Sequence, residues 1–275
     1  MRRLILAACL ALALALPPAT LAADGKSAKK DSEIAAAAAS PSRSPQFAQR
    51  DRARKPVEVL SFAGLKPNMT VVEILPYGGY WAEILAPYLA KQGTYYTAIA
   101  PRTMSERAAT VADTWPKKLE ANKASWGNVK VSEFGKGAAG IAPAGSADAV
   151  LTFRNVHNWM AQGFAEEAFK SFYDALKPGG VLMVEEHRAP TDKPQDPKAL
   201  SGYVREDFTK ELARKAGFEF VESSEILANP KDTKNWEKGV WTLPPTLALG
   251  DQDRDRYLAI GEADNYLLKF CKPQK

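Results

Sequence analysis

Histidine and cysteine are scarce in this 275-residue chain: there are two of each, His157, His187, Cys9 and Cys271. So few nitrogen and sulfur ligands, so far apart, form no clustered His/Cys pattern, and the one conceivable metal set is His157 and His187 with Glu185 or Glu186. The Gly-containing stretch Leu75 to Trp81, between an apolar run and a helical pattern, also lacks Gly-x-Gly-x-x-Gly spacing, which argues against a nicotinamide-dependent oxidoreductase. Charge of one sign is in short supply, with 37 basic against 32 acidic residues. That excess is too mild to argue for nucleic acid, and no aromatic platform accompanies the basic run Arg50 to Lys55. The apolar run from Leu4 to Leu16 falls short of the ~20 residues needed to span a bilayer.

What is present at the start is a basic pair, Arg2 and Arg3, that apolar run, and small residues around Thr20-Leu21-Ala22. Residues 1–22 thus have the three parts of a secretory signal, and export to a periplasmic or secreted location with cleavage is expected. Leu6-Ala7-Ala8-Cys9 is too close to the N-terminus, within a continuing apolar run, to serve as a lipoprotein box. Cleavage leaves 35 basic and 32 acidic residues, net +3, and a single cysteine, so no internal disulfide. Cys271, in an apolar run read as the last strand, is expected to be a buried structural thiol. Residues 23–46 offer little large and apolar and read as a flexible linker with some helical tendency. Arg50 to Lys55 reads as a solvated helical face, and residues 47–275 as one sizeable α/β domain.

Within that domain, Val71 to Leu75 is a continuous β-branched and apolar run of the kind buried on both faces of a parallel sheet. Pro76-Tyr77-Gly78-Gly79 breaks it, and Trp81, Ile84, Leu85, Tyr88 and Leu89 then recur at helical spacing. In an open α/β sheet, ligands lie beyond the carboxyl ends of the strands, so this turn belongs to any site. Further strands are expected over 95–99, 129–134, 146–153, 181–184, 218–226 and 266–271, with helices over 104–124, 164–176 and 205–216. Leu176-Lys177-Pro178-Gly179-Gly180 is a helix stop and strand start. His157 and His187 fall just past the ends of the fourth and fifth strands, on the same rim.

Glu73 followed by the Gly-containing turn resembles motif I of the class I S-adenosylmethionine-dependent methyltransferases, whose usual form is acidic-x-Gly-x-Gly-x-Gly. Here the frame reads Glu73-x-Leu75-x-Tyr77-x-Gly79, with bulky side chains at two glycine positions. Pro76 is expected to push Leu75 toward extended geometry, so that the turn does not copy the family's loop. Arg50-Asp51-x-x-Arg54-Lys55-Pro56, Gly78 to Pro87, Arg154-Asn155-Val156-His157, Glu186-His187-Arg188 and Asn229-Pro230 resemble an often exported branch of predicted methyltransferases. The resemblance implies a Rossmann-like class I methyltransferase fold, a seven-stranded, mostly parallel sheet with helices on both faces and the last strand antiparallel. It also implies S-adenosyl-L-methionine as cofactor, with Glu73, Gly78, Gly79, Tyr80 and Asn155 as binding candidates. The acidic residues that the family places after strands two and three are missing, since Ile99-Ala100-Pro101 and Gly135-Lys136-Gly137 stand there.

His157 reads as a general base or substrate orienter, or as a hydrogen-bonded rim histidine, and His187 as its companion. Arg154 and Arg188 are candidates to hold a carboxylate. The insertion over 228–263, with Trp236, Trp241 and Pro244-Pro245, either covers the rim or packs on the sheet. Asp251 to Arg256 lacks the glycine and late glutamate of a calcium loop and reads as a solvated helix start. Two functions stay open: an exported methyltransferase of unknown acceptor, or a non-catalytic small-molecule binding protein of the same fold that no longer takes the cofactor. Either expects a small-molecule partner, no nucleic acid and no membrane after signal cleavage.

Overall fold

Val71, Leu151, Met183 and Leu267 belong to the core on one side of a β-sheet, and Val72, Val150, Leu182 and Leu268 to the core on the other. Successive strand residues face opposite ways. That alternation is why these strands read as unbroken apolar runs, each side chain having a buried face to fill. The structure, a computed structural model, describes residues 32–274; the expected signal segment and the first part of the expected linker lie outside the described residues.

The sheet has seven strands in the order β3-β2-β1-β4-β5-β7-β6. They are β1 (Thr70–Ile74), β2 (Thr94–Ile99), β3 (Lys130–Glu133), β4 (Ala147–Phe153), β5 (Leu176–His187), β6 (Glu219–Ser224) and β7 (Asn265–Cys271). All neighbours run parallel except β7, which is antiparallel to β5 and β6. The expected Rossmann-like seven-stranded fold is therefore found. The short helices α1 (Pro45–Ala48) and α2 (Asp51–Arg54) precede α3 (Pro56–Ala63), and α4 (Ala82–Leu89) and α5 (Glu106–Trp126) follow β1 and β2. On the opposite face α6 (Val156–Gln162), α7 (Ala165–Ala175) and α8 (Glu206–Ala216) supply Trp159, Phe169, Phe172 and Leu212 to the core. The last helix, α9 (Arg254–Ile260), closes the insertion before β7. Strand order reverses between β1 and β4, which puts a crevice at the carboxyl ends of these two strands.

Three expectations are corrected. Residues 32–46 are docked and not a free linker: Ile34 is 1% exposed within the core around α3 and α4. Arg43 pairs with Asp51, and the Ser44 N–H and hydroxyl both donate to Glu83 at 2.7 Å. One isoleucine and two polar anchors suffice to fix a stretch whose composition looks unstructured. Second, β5 begins at Leu176 and not at Val181: the expected helix stop is kept, with α7 ending at Ala175, and Lys177-Pro178-Gly179-Gly180 form a bulge inside the strand, between the pairs Ala147↔Leu176 and Ala149↔Val181. Third, Cys271 is half-buried at the end of β7, not enclosed, with its thiol pKa raised by partial burial and by Glu219. Asp251 to Arg256 is exposed, and α9 starts within it.

Candidate functional site

Beyond Ile74 the chain leaves the sheet through Leu75-Pro76-Tyr77-Gly78-Gly79, with φ of +53° at Leu75, +46° at Tyr77 and +93° at Gly79. All three positions aligned with glycines in the motif thus keep positive φ, and Pro76 does not hold Leu75 extended. Left-handed geometry costs an L-residue roughly 1–2 kcal/mol. Here it is offset by burial, since Leu75 is 9% exposed, and by backbone bonds from Leu75 N–H to Ala98 O (2.9 Å) and from Gly79 N–H to Pro76 O (2.8 Å). The Arg107 guanidinium lies 4.2 Å from the centre of the Tyr77 ring and holds that side chain in place. A Cβ on Gly79 would come within 3.1 Å of Trp115 and of Lys118 Nζ, so packing against α5 demands glycine there, not approach of a ligand. Gly78, whose Cβ would lie 3.3 Å from the Phe47 ring, does face the cleft, as does Tyr80.

Two cavities meet at this turn, and Leu75, Pro76, Tyr77, Arg107 and Asn158 wall both. The first, about 440 Å³, lies past β2 and β3 and is apolar, with Ile99, Ala100, Met104, Phe134 and Trp159 around it. Among the described residues no carboxylate lines it; its polar groups include Ser105, Asn158 and Gln162. The second, a cleft of about 360 Å³, lies over the ends of β1, β4 and β5 and is lined by Glu73, Gly78, His157, His187, Arg54 and Arg154 among others. Glu73 is 2% exposed and accepts a hydrogen bond from the Tyr95 hydroxyl. Burial pushes its pKa up to about 8 although the Tyr95 bond works the other way, so near neutral pH it carries a proton.

The structure brings the two histidines together, with ring centres 5.7 Å apart. Between them sits Glu186, the residue just before His187. Glu186, fully buried, accepts from the His157 ring at Nδ1 (3.0 Å), from the His157 backbone N–H at the start of α6 (3.1 Å) and from the His187 backbone N–H (2.8 Å). Burial alone would raise its pKa; the His157 imidazole and the His187 groups outweigh it and hold the carboxylate below the usual range. With Nδ1 taken, Nε2 is the His157 nitrogen left for the cleft. His187 is held at Nδ1 by Asn265 Oδ1 (2.6 Å), and burial drives its pKa down to about 3 against the pull of Glu186, so it stays neutral. Glutamate directly before histidine at a strand end was the available signal for Glu186. Its role required knowing that β5 abuts the first turn of α6.

Asn155 does not line either cavity. It is 1% exposed, and its amide donates to Ile74 O (3.4 Å) and Thr152 Oγ1 (3.3 Å), tying the ends of β1 and β4 together. Arg154 reaches the cleft from φ +59° and is balanced by Glu185 (3.4 Å) and Glu262 (3.1 Å), the latter also bound by Arg50. Arg188 is not in the cleft; it binds Glu206, Glu225 and Asp264. Glu185, buried beside Arg154, has a pKa raised by burial to about 7. One part of the insertion covers the rim, and another packs on itself and not on the sheet. Trp236 packs on Tyr257 and donates to Asp232, whereas Trp241, Pro244 and Pro245 wall the cleft, Trp241 edge-on to His157 at 5.9 Å. Gly239 permits this: a Cβ there would fall 2.0 Å from Ser201 O, where the insertion is pinned by Val240 N–H to Ser201 O. Among the described residues no group of three or more His, Cys, Asp or Glu could hold a metal ion.

A family model described as a methyltransferase domain matches residues 48–223. No curated protein matches the chain. Among solved structures, a SAM-dependent methyltransferase from Aquifex aeolicus is similar at TM-score 0.53 and 17% identity, over 88% of this chain and 98% of that one. Phosphoethanolamine N-methyltransferase 2 of Haemonchus contortus, solved with phosphomonomethylethanolamine and S-adenosylhomocysteine, matches at TM-score 0.54 and 16% identity, over 80% of this chain and 53% of that one. The [4+2]-cyclase SpnF matches at TM-score 0.53 and 17% identity, over 86% and 85%. At such identities the likeness is one of fold. The cofactor expected from the sequence, S-adenosylmethionine, agrees with these comparisons.

Proposed function

Because the chain belongs to the methyltransferase domain family, we propose that it is an S-adenosylmethionine-dependent methyltransferase acting on a small-molecule acceptor. One observation carries this reading. The turn after β1 keeps positive φ at 75, 77 and 79 although two of the residues are not glycine, and it keeps a cavity open on either side. Retaining strain of this kind is expected where the backbone path itself serves a ligand.

The residues present fit the cofactor. Ile99, Phe134 and Trp159 offer apolar and aromatic surface for a purine, and Ser105, Asn158 and Gln162 offer hydrogen bonds in place of the missing ribose carboxylate. Gly78 and Tyr80 edge the cleft where the amino-acid end would go. When bound, the cofactor supplies a methyl group made electrophilic by its sulfonium. The chain's own work is to position the acceptor and keep water out. His157 Nε2 takes the acceptor's proton, the Glu186 carboxylate holds the ring and steadies its charged form, and neutral His187 stays as a hydrogen-bonding neighbour. Trp241, Pro244 and Pro245 exclude water from the open side. Export rests on the pattern of residues 1–22, and mass measurement of the secreted chain, expected to begin near Ala23, tests it.

Calorimetric titration with S-adenosylhomocysteine tests the cofactor. Micromolar binding is expected, abolished by Ala100→Trp, which fills the apolar cavity from its wall. Binding to neither S-adenosylmethionine nor its product would support the second reading, a cofactor-free binding protein. That reading is favoured by Tyr77 at the turn and by the fold neighbour SpnF, a [4+2]-cyclase.

A further inference from the structure

Four arginines line the cleft: Arg50, Arg54, Arg107 and Arg154. Two are balanced within the protein, Arg50 by Glu262 and Arg154 by Glu185 and Glu262. Arg54 is different. It is 7% exposed, has no carboxylate partner among the described residues, and its Nε is buried without a hydrogen bond. Its guanidinium carbon lies over the Tyr80 ring, 4.5 Å from its centre, a contact that holds the group in place but cannot satisfy its N–H groups. Arg107, stacked on Tyr77, also lacks an acidic partner among the described residues. Among the described residues the only carboxyl group lining the cleft is Glu73, which is protonated near neutral pH.

A buried, unpaired guanidinium is costly unless an anion meets it. The cofactor, whose amino-acid end would lie near Tyr80, does not lower the net positive charge of the cleft. Its carboxylate is matched by its own ammonium, and its sulfonium adds a positive charge to a cleft already positive. We propose that the methyl acceptor is an oxyanion, a carboxylate or phosphate ester, whose charged group is held by the Arg54 fork while its nucleophilic atom lies toward His157. Planar N–H pairs match carboxylate and phosphate oxygens two at a time, which is the geometry Arg54 offers and Lys would not. This rests on the methyltransferase reading above. It adds the acceptor's class and excludes amines that carry no anionic group.

The test uses the full chain, with inorganic phosphate as probe for the anion and S-adenosylhomocysteine as probe for the cofactor, at constant ionic strength. Phosphate is expected to bind wild type and to bind Arg54→Met about tenfold or more weakly, with S-adenosylhomocysteine affinity unchanged. Arg54→Lys keeps the charge without the fork and decides the matter should Arg54→Met fail to fold; it too is expected to lose phosphate affinity. No phosphate binding by wild type, or affinity unchanged in both variants, overturns the proposal. So does weaker S-adenosylhomocysteine binding in the variants when 5′-methylthioadenosine, which lacks the carboxylate, binds as before, because Arg54 then serves the cofactor. Wild type that binds phosphate but no S-adenosylhomocysteine overturns the methyltransferase reading itself, and the acceptor's class falls with it.

Discussion

The two halves of the crevice are built on opposite principles. At the end of β1 the backbone carries the site: φ is positive at Leu75, Tyr77 and Gly79, and the side chains there are ones that such geometry disfavours. At the ends of β4 and β5 left-handed backbone is confined to Arg154, and the site is made by buried side chains, Glu186 against His157 and Asn265 against His187. The first half tolerates rewriting of its side chains as long as the path of the chain survives. In the second half each polar group depends on a partner in low dielectric, so a single replacement strands the others.

Removing the centre of the side-chain half should have the largest effect. Glu186→Ala leaves the His157 imidazole and two backbone N–H groups without an acceptor, and is expected to lower unfolding stability by about 3–5 kcal/mol, read by urea denaturation. If the loss stays near that of an exposed site, the contrast between the halves is wrong.

Glu73 sharpens the comparison through pH. Its folded pKa of about 8 stands above the ordinary 4.5, so the native state binds the proton more tightly than the unfolded chain. The stability from this group is fully present below 4.5 and is lost as pH rises through about 8, at about 1.4 kcal/mol per pH unit within that window. Glu73→Gln should flatten that slope, measured as the difference between the two denaturation-against-pH curves. Glu185, raised to about 7 in the same direction, contributes to both curves and cancels in the difference.

In the backbone half the effect should be smaller. Gly79→Ala must hold φ near +93° and press Cβ toward Trp115 and Lys118, with an expected cost of about 1–3 kcal/mol. A neutral outcome would mean that α5 yields and the turn is not rigid. Smallest of all, Lys170→Ala breaks an exposed pair with Asp174 on α7 and should change stability by no more than about 0.5 kcal/mol, which sets the floor for the other measurements.

Most of the fold was legible in the residues. β1, β2, β4 and β7 were expected within one or two residues of their observed ends, because strands buried on both faces leave continuous apolar runs. The exposed edge strand β6 was expected to run on to Ile226 and stops at Ser224, where neither face is buried enough to mark an end. Residues 32–46 look unstructured because alanine, serine and proline give no period; their order comes from distant Glu83, reached by Ser44, and from Asp51, reached by Arg43. In the site, His157 and His187 were placed at the rim by strand counting, and Glu73, Gly78 and Tyr80 do line the cleft. Asn155 was expected at the ligand and serves instead as a clamp between strand ends.

By itself, then, the sequence determined the order of strands and helices and the end of the sheet where ligands belong, because period and burial are properties of short segments. Only the tertiary structure decided that the turn after β1 keeps its left-handed path through Leu75 and Tyr77, since the bonds and packing that offset the strain come from β2 and α5. It alone decided that Glu186 joins the two histidines and that Arg54 is left without a partner among the described residues. Those facts are distances between residues far apart in the chain, and no local pattern encodes them.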